Sequence, residues 1–291
     1  MCHKAPQRTP TPQGPIVNST LPPPTSPTPT PARALPFERI AYALIAILTA
    51  GAFSFPPVPQ AQSYHLFADA HALWGIPNAL NVLSNAAFLA VGLYGLLRRP
   101  RFALGRDVLL GLVTFLVGLV LICAGSAYYH WAPSDEALLW DRLPMSLAFL
   151  GVSFSLIAAQ SRLRAPFVLF VTLEAAGVAA TLYGHLAQDL RFYAMCQALP
   201  LLLALASAAR LWSVAAARPR ARDLLLGFGA YGLAKAAEHF DRALYALTAE
   251  GVSGHTLKHL LAAVGAFFVL RCFLYLKPAD AQPAPQGAAR A

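Results

Sequence analysis

Charge is the first thing this sequence lacks. Of its 291 residues 22 are basic and 13 acidic, so 12% carry charge while 57% are hydrophobic, against about 25% charged in soluble domains. A soluble protein is excluded, although the length alone would fit two soluble domains. Cysteine is scarce too. Cys2, Cys123, Cys196 and Cys272 stand far apart and three of them lie inside apolar runs, which excludes a CxxC metal site and a disulfide framework and leaves packing as their role. Lysine occurs four times against eighteen arginines, a bias expected of GC-rich bacterial genomes. The net charge of +9 does not imply a nucleic-acid partner, because the basic residues lie in the breaks between apolar runs, where they set membrane topology.

Those runs are what the sequence has in abundance. Each is about 20 residues long, enough to cross a bilayer as a helix: Phe37 to Phe55, Asn78 to Leu97, Val108 to Tyr129, Leu139 to Ala159, Pro166 to Tyr183, Phe192 to Trp212, Leu224 to Leu244 and His255 to Tyr275. The fold class expected is therefore all-α, a polytopic membrane helical bundle. Residues 1–36 hold 11 of the 24 prolines and no apolar run, so a disordered cytoplasmic tail is expected there, with a second tail at 278–291. A signal peptide cleaved near Ala61 is the competing reading of the first run, but the run begins too deep in the chain for one. Seventeen of the 22 basic residues fall in the two tails and in alternate connections, at Arg98 to Arg106, Arg162 to Arg164 and Arg210 to Arg222. The opposite connections collect Asp69, Asp135, Glu136, Asp141, Asp189, Asp241 and Glu250. Both termini are thus expected in the cytoplasm, with eight crossings, in a bacterial inner membrane.

An ionisable group in a spanning helix costs a few kcal/mol unless it is paired or faces a cavity, so each such position is a functional candidate. Five fall at one depth. Ser126 and His130 are four apart at the outer end of one helix, Asp141 opens the next, and His255 and His259, again four apart, open the last. A single histidine at a helix end is ordinarily a packed interfacial residue; the HxxxH pair and the shared level are what favour a metal. Three neutral imidazoles suit zinc with a position left open for water, and a carboxylate beside that water can accept its proton. Glu174 and Lys235 fall at similar depths and are expected to form an ion pair, with Glu238 and Asp241 as scaffold groups. Tyr128, Tyr129, Trp131 and Trp140 read as interfacial anchors.

The segments Gly125-Ser126-Ala127-Tyr128-Tyr129-His130, Asp141-Arg142-Leu143-Pro144-Met145 and His255-Thr256-Leu257-Lys258-His259, with Asn81-Val82-Leu83-Ser84-Asn85 before them, resemble the alkaline ceramidase family. That family belongs to a superfamily of seven-helix membrane hydrolases that also takes in the adiponectin and progestin receptors. The resemblance covers residues 64 to 277 and implies a seven-helix core preceded by one extra N-terminal helix, residues 37–55. It implies zinc bound by His130, His255 and His259, Asp141 as acid/base, Ser126 steadying the oxyanion, and hydrolysis of the amide of a ceramide or another N-acyl lipid to a fatty acid and an amine. A lipid substrate would enter sideways from the outer leaflet into an intramembrane pocket. Animal members also carry an acidic calcium-binding stretch, for which residues 67–78 supply one carboxylate; a calcium site here would rest on Asp69 and Asn78. Two rivals stay open: a receptor-like member with a structural zinc, and an ion-coupled transporter, for which no internal repeat is visible.

Overall fold

The computed structural model describes Met1, residues 36–98 and residues 104–275. The expected tails, apart from Met1 and Pro36, lie outside the described residues, as does Cys2. Among the described residues ten α-helices follow in order: α1 (Phe37–Ser54), α2 (Ala79–Leu83), α3 (Ala86–Arg98), α4 (Arg106–Trp131), α5 (Asp135–Ala158), α6 (Pro166–Leu186), α7 (Arg191–Trp212), α8 (Arg218–His239), α9 (Asp241–Leu247) and α10 (Gly254–Leu274). Among the described residues the only extended pairing is one bridge between Leu73 and Ile76.

Among the described residues seven stretches are long and apolar enough to cross a membrane: α1, α2 with α3, α4, α5, α6, α7 and α10. This is an all-α, multi-pass bundle. The remaining long helix, α8, carries Arg218, Arg220, Arg222, Asp223, Lys235 and Glu238 and so falls outside that apolar set. It packs closely on α10, where a Cβ on Gly227 would stand 3.1 Å from the Gly265 carbonyl oxygen. The expected helix Leu224 to Leu244 is shifted: α8 ends at His239 and a separate short helix begins at Asp241. Asp241 is drawn out of the helical run because its carboxylate accepts from the backbone N–H of His255 at 2.8 Å and of Ala68 at 2.9 Å.

Small residues bring α4 and α5 together. Gly111, Gly118 and Gly125 recur every seven residues along α4, and a Cβ on them would stand 2.5 Å from the Gly151 carbonyl oxygen, 2.8 Å from the Ala148 Cβ and 2.1 Å from the Trp140 carbonyl oxygen. Such spacing presents one face for close backbone packing. Pro144 lies inside α5 and has no N–H to offer the Trp140 carbonyl one turn back, so that carbonyl is left facing the bare backbone of Gly125.

The first apolar run is seated by charge. Arg191, at the start of α7, donates to the carbonyls of Ala52, at 3.0 Å, and Phe55, and it pairs with Asp189 at 2.7 Å. Asp189 also accepts from the Val58 N–H at 3.3 Å, while the Leu190 N–H donates to the Val58 carbonyl at 2.8 Å. The Arg191 guanidinium holds the Asp189 carboxyl down at about 2. Residues 55–78 then run as a strap across the end of the bundle that carries the histidines.

Candidate metal centre

Three helix ends build the site, each fixed by local chemistry. The last two turns of α4 carry Ser126 and His130, both buried. Ser134 caps α5 by accepting from the Ala137 N–H at 3.1 Å, which sets the register that places Asp141 about 9 Å along that helix. Ser253 caps α10 through the Thr256 N–H at 3.1 Å. Gly254 admits the α8 backbone: a Cβ there would lie 2.1 Å from the Ala237 carbonyl oxygen. The first and second turns of α10 then present His255 and His259 on one face.

His130, His255 and His259 are 0%, 4% and 3% exposed. Their ligand nitrogens lie within 4.8 Å of one another, with His130 Nε2 at 3.2 Å from His259 Nε2 and 3.3 Å from His255 Nε2. A neutral imidazole has one N–H, so three rings turning nitrogens to a common point cannot satisfy each other by hydrogen bonds alone. Metal–imidazole bonds of about 2.0–2.1 Å in tetrahedral geometry put the ligand nitrogens about 3.3–3.4 Å apart. Two of the three separations match that spacing and the third is no longer than 4.8 Å, and an imidazole set suits zinc, copper, iron or nickel.

Neighbouring groups fix the rings. Ser84 Oγ lies 2.7 Å from His259 Nδ1, which turns Nε2 inward. Ser84 is free to do this because it and Asn85 bond the Asn81 carbonyl, at 3.1 and 2.8 Å, and such side-chain bonds to backbone compete with the helix; α2 and α3 part at this point. Asn81 in turn accepts from Thr256 Oγ1 at 2.9 Å and donates to the Asp69 carbonyl at 3.1 Å, tying α2 to the start of α10 and to the strap. The strap closes the outer side. The Phe67 ring sits 4.7 Å from that of His130 and 4.9 Å from that of His255. His65 bonds Tyr129 at 3.0 Å and Asp135 at 3.1 Å, and the Tyr64 hydroxyl donates to Glu238 at 2.9 Å. Burial and the Glu238 carboxylate push the Tyr64 phenol well above its ordinary value, so it stays a neutral donor.

A cavity of about 490 Å³ reaches the histidine cluster at His259. Ser126, Asp141, Glu238, Lys258 and His259 line its polar end, and Phe115, Leu119, Ala148, Phe149, Val152 and Leu156 are among the residues of its apolar length. Ser126 hydrogen-bonds the Asp141 carboxylate, and Asp141 is 6% exposed. This arrangement joins three clustered imidazoles, a buried carboxylate on the same cavity and a lipid-sized apolar chamber.

All five residues expected at one level are brought to this site. Asp69 and Asn78 are engaged otherwise. Asp69 Oδ1 lies 3.0 Å from the His71 N–H and 3.1 Å from His71 Nδ1, and Asn78 Nδ2 donates to the His130 carbonyl at 2.8 Å. Asn78 occupies the N-cap position of α2, in a left-handed conformation and without a capping side-chain bond. The expected Glu174–Lys235 pair is not formed: Lys235 pairs with Glu238 one turn further along α8, and the buried Glu174 carboxylate oxygens have no hydrogen-bond partner. Lys258, which sequence reasoning passed over, stands 3.1 Å from His255 Nε2 and pairs with Glu238 at 2.8 Å. Its signal was present as a lysine inside the HxxxH element of an otherwise apolar helix.

No curated protein matches the chain. The Ceramidase family profile matches residues 72–289, a span that takes in the Asn81–Asn85 element, Ser126, His130, Asp141 and both α10 histidines, and the chain belongs to the ceramidase family.

Proposed function

We propose that this chain is a zinc-dependent intramembrane hydrolase that cleaves the amide bond of ceramide-like N-acyl lipids to a fatty acid and a sphingoid base or similar amine. The observation that carries this reading is the spacing of His130, His255 and His259 at the polar end of a cavity whose remaining length is apolar. Zinc held by the three imidazoles supplies Lewis acidity and a water that ionises near pH 7. Asp141 accepts a proton from the attacking water and returns it to the leaving nitrogen as the C–N bond breaks. Ser126, hydrogen-bonded to Asp141, orients that carboxylate, and once Asp141 has taken the proton the Ser126 hydroxyl is released to donate to the oxyanion. The apolar length holds the acyl chain and keeps bulk water away from it.

Both termini face the cytoplasm in this reading, α8 crosses as well, and the site opens toward the opposite side. What supports it is the separation of ends: Arg98, Arg106, Arg162, Arg164, Arg210 and Arg218 lie at helix ends or in connections at the end of the bundle away from the histidines. Reporter fusions at residues 104, 162 and 214 should all score cytoplasmic.

The functional test is metal analysis of the purified protein together with mass spectrometry of lipids after incubation. Zinc near one per chain and release of free fatty acid are expected, both lost in His255→Ala. Asp141→Asn should keep the zinc and lose at least about 10²-fold in rate. A metal-free native protein, or full hydrolysis by Asp141→Asn, would overturn the assignment; metal without turnover would favour a receptor-like role.

A further inference from the structure

The polar end of the cavity carries more cations than the proposed chemistry uses. Arg142, Lys235 and Lys258 line it against two carboxylates, Asp141 and Glu238, and three cations against two anions leave one positive charge over. Lys258 touches the histidine cluster directly: its Nζ stands 3.1 Å from His255 Nε2 and 2.8 Å from Glu238 Oε1. Glu238 is shared, since Lys235 and the Tyr64 hydroxyl also bond it. One carboxylate thus serves two ammonium groups and neutralises Lys258 only in part.

An ammonium has three N–H donors. In Lys258 one goes to Glu238 and one to His255 Nε2, the same nitrogen that lies 3.3 Å from His130 Nε2. That nitrogen has a single lone pair, which a metal held by the three imidazoles would take. Lys258 then loses an acceptor while its ammonium stays beside the cluster, and a donor left unpaired out of water is costly. The chemistry proposed above supplies a new acceptor. A ceramide is neutral and its products are not: water adds its OH to the acyl carbon and a hydrogen to the leaving nitrogen as the C–N bond breaks. The acid formed gives its proton to the amine, so a neutral amide ends as a carboxylate and an ammonium. Negative charge appears first on the acyl oxygen and remains on the acyl half. A cation beside the imidazoles therefore acts more strongly on the transition state and the product than on the neutral substrate, and that difference is what accelerates the reaction.

We infer that Lys258 is a further oxyanion donor: its ammonium hydrogen-bonds the acyl oxygen of a neutral N-acyl lipid as charge develops there, and then holds the carboxylate of the fatty-acid product. This rests on the amidase reading above and adds a residue to its machinery. Glu238 orients the ammonium from α8, and the Tyr64 ring, 5.9 Å from Nζ, covers it from the strap.

The test measures binding of radiolabelled palmitate and hexadecanol to the zinc-loaded protein in detergent micelles, by scintillation proximity, so that the readout does not depend on turnover. The ratio of Kd for the alcohol to Kd for the acid is compared between variants of equal zinc content, which holds the metal's own pull on the carboxylate constant. Lys258→Met should lower the ratio about 10- to 100-fold, the worth of a hydrogen bond to a charged group. Glu238→Gln breaks the same ion pair but keeps the ammonium, so its ratio should hold or rise. With N-palmitoylsphingosine as substrate, Lys258→Met should lower kcat with little change in KM, and Lys258→Arg should restore part of the loss. A ratio unmoved by Lys258→Met, or lowered alike in both variants as expected of a purely structural ion pair, overturns the inference and leaves the amidase reading standing. A native protein that binds palmitate through Lys258 and cleaves no N-acyl amide overturns the amidase reading, and the oxyanion role of Lys258 with it.

Discussion

Gly125→Ala adds one methyl group at the point where α4 passes α5 beside the metal position. The added Cβ would lie 2.1 Å from the Trp140 carbonyl oxygen, about 1.3 Å short of the 3.4 Å at which ordinary contact begins. A backbone carbonyl cannot rotate away, so the helices must part locally by about 1 Å. Overpacking of this kind costs about 1–3 kcal/mol in stability. The larger effect is on geometry: Ser126 and His130 ride on α4, Asp141 on α5, and a 1 Å misplacement costs roughly 10²-fold in rate. Metal affinity should fall as well, because ligand distances tolerate only about 0.2 Å. Gly111→Ala is the control, since its Cβ would meet the Gly151 carbonyl oxygen at 2.5 Å, about 21 Å further from the site along the same helix. Melting temperature, zinc content and kcat/KM on an N-acyl amide, measured for both variants, separate the two effects. Similar destabilisation is expected, with the rate loss concentrated in Gly125→Ala. Equal rate losses in both would refute the argument that this crossing positions the site.

Three further perturbations follow from single contacts. Ser84→Ala removes the group bonded to His259 Nδ1 and should weaken metal binding about 10- to 100-fold, read by competition with a chromogenic chelator; unchanged affinity would mean Ser84 does not orient that ring. Asp189 is held at about 2 against an ordinary 3.8, so its contribution to stability is complete above pH 4 and is lost as the pH falls from about 4 toward 2. Melting curves should therefore show the native protein losing its advantage over Asp189→Asn across that window, and parallel pH profiles would contradict the Arg191 lock. Glu174→Gln should leave Tm unchanged or raise it, because the carboxylate has no partner to lose and a buried charge is costly; a drop of several degrees would show that Glu174 is engaged.

Helix positions and the clustering of the three histidines were legible in the sequence because both rest on one-dimensional spacing. Apolar runs set the spans, and the four-residue separations in Ser126–His130 and His255–His259 set which side chains share a face. What was hidden depends on rotation about helix axes and on bonds that leave the helix. Equal depth made Glu174 and Lys235 look like partners, yet depth says nothing of azimuth, and Lys235 finds Glu238 three residues away on its own helix. The break at Ser84 was invisible to hydropathy because it is made by side chains bonding the Asn81 carbonyl. Asp241 similarly ends one helix by capping another, α10, at the His255 N–H. The Gly111, Gly118 and Gly125 spacing could have been found, since seven-residue recurrence of glycine in an apolar run is a packing signal, but the Pro144 that frees the Trp140 carbonyl only acquires meaning once α5 is seen beside it.

The strap over the histidines bears on lability as distinct from affinity. Phe67 covers the rings of His130 and His255, and the segment is fastened by Tyr64 to Glu238, by His65 to Asp135 and by the Ala68 N–H to Asp241. A hydrophilic chelator cannot reach a metal beneath that cover until the fastenings open together, so exchange would run at the rate of strap opening and level off as chelator concentration rises. The bound ion would then resist removal in a brief assay even where its equilibrium affinity is modest.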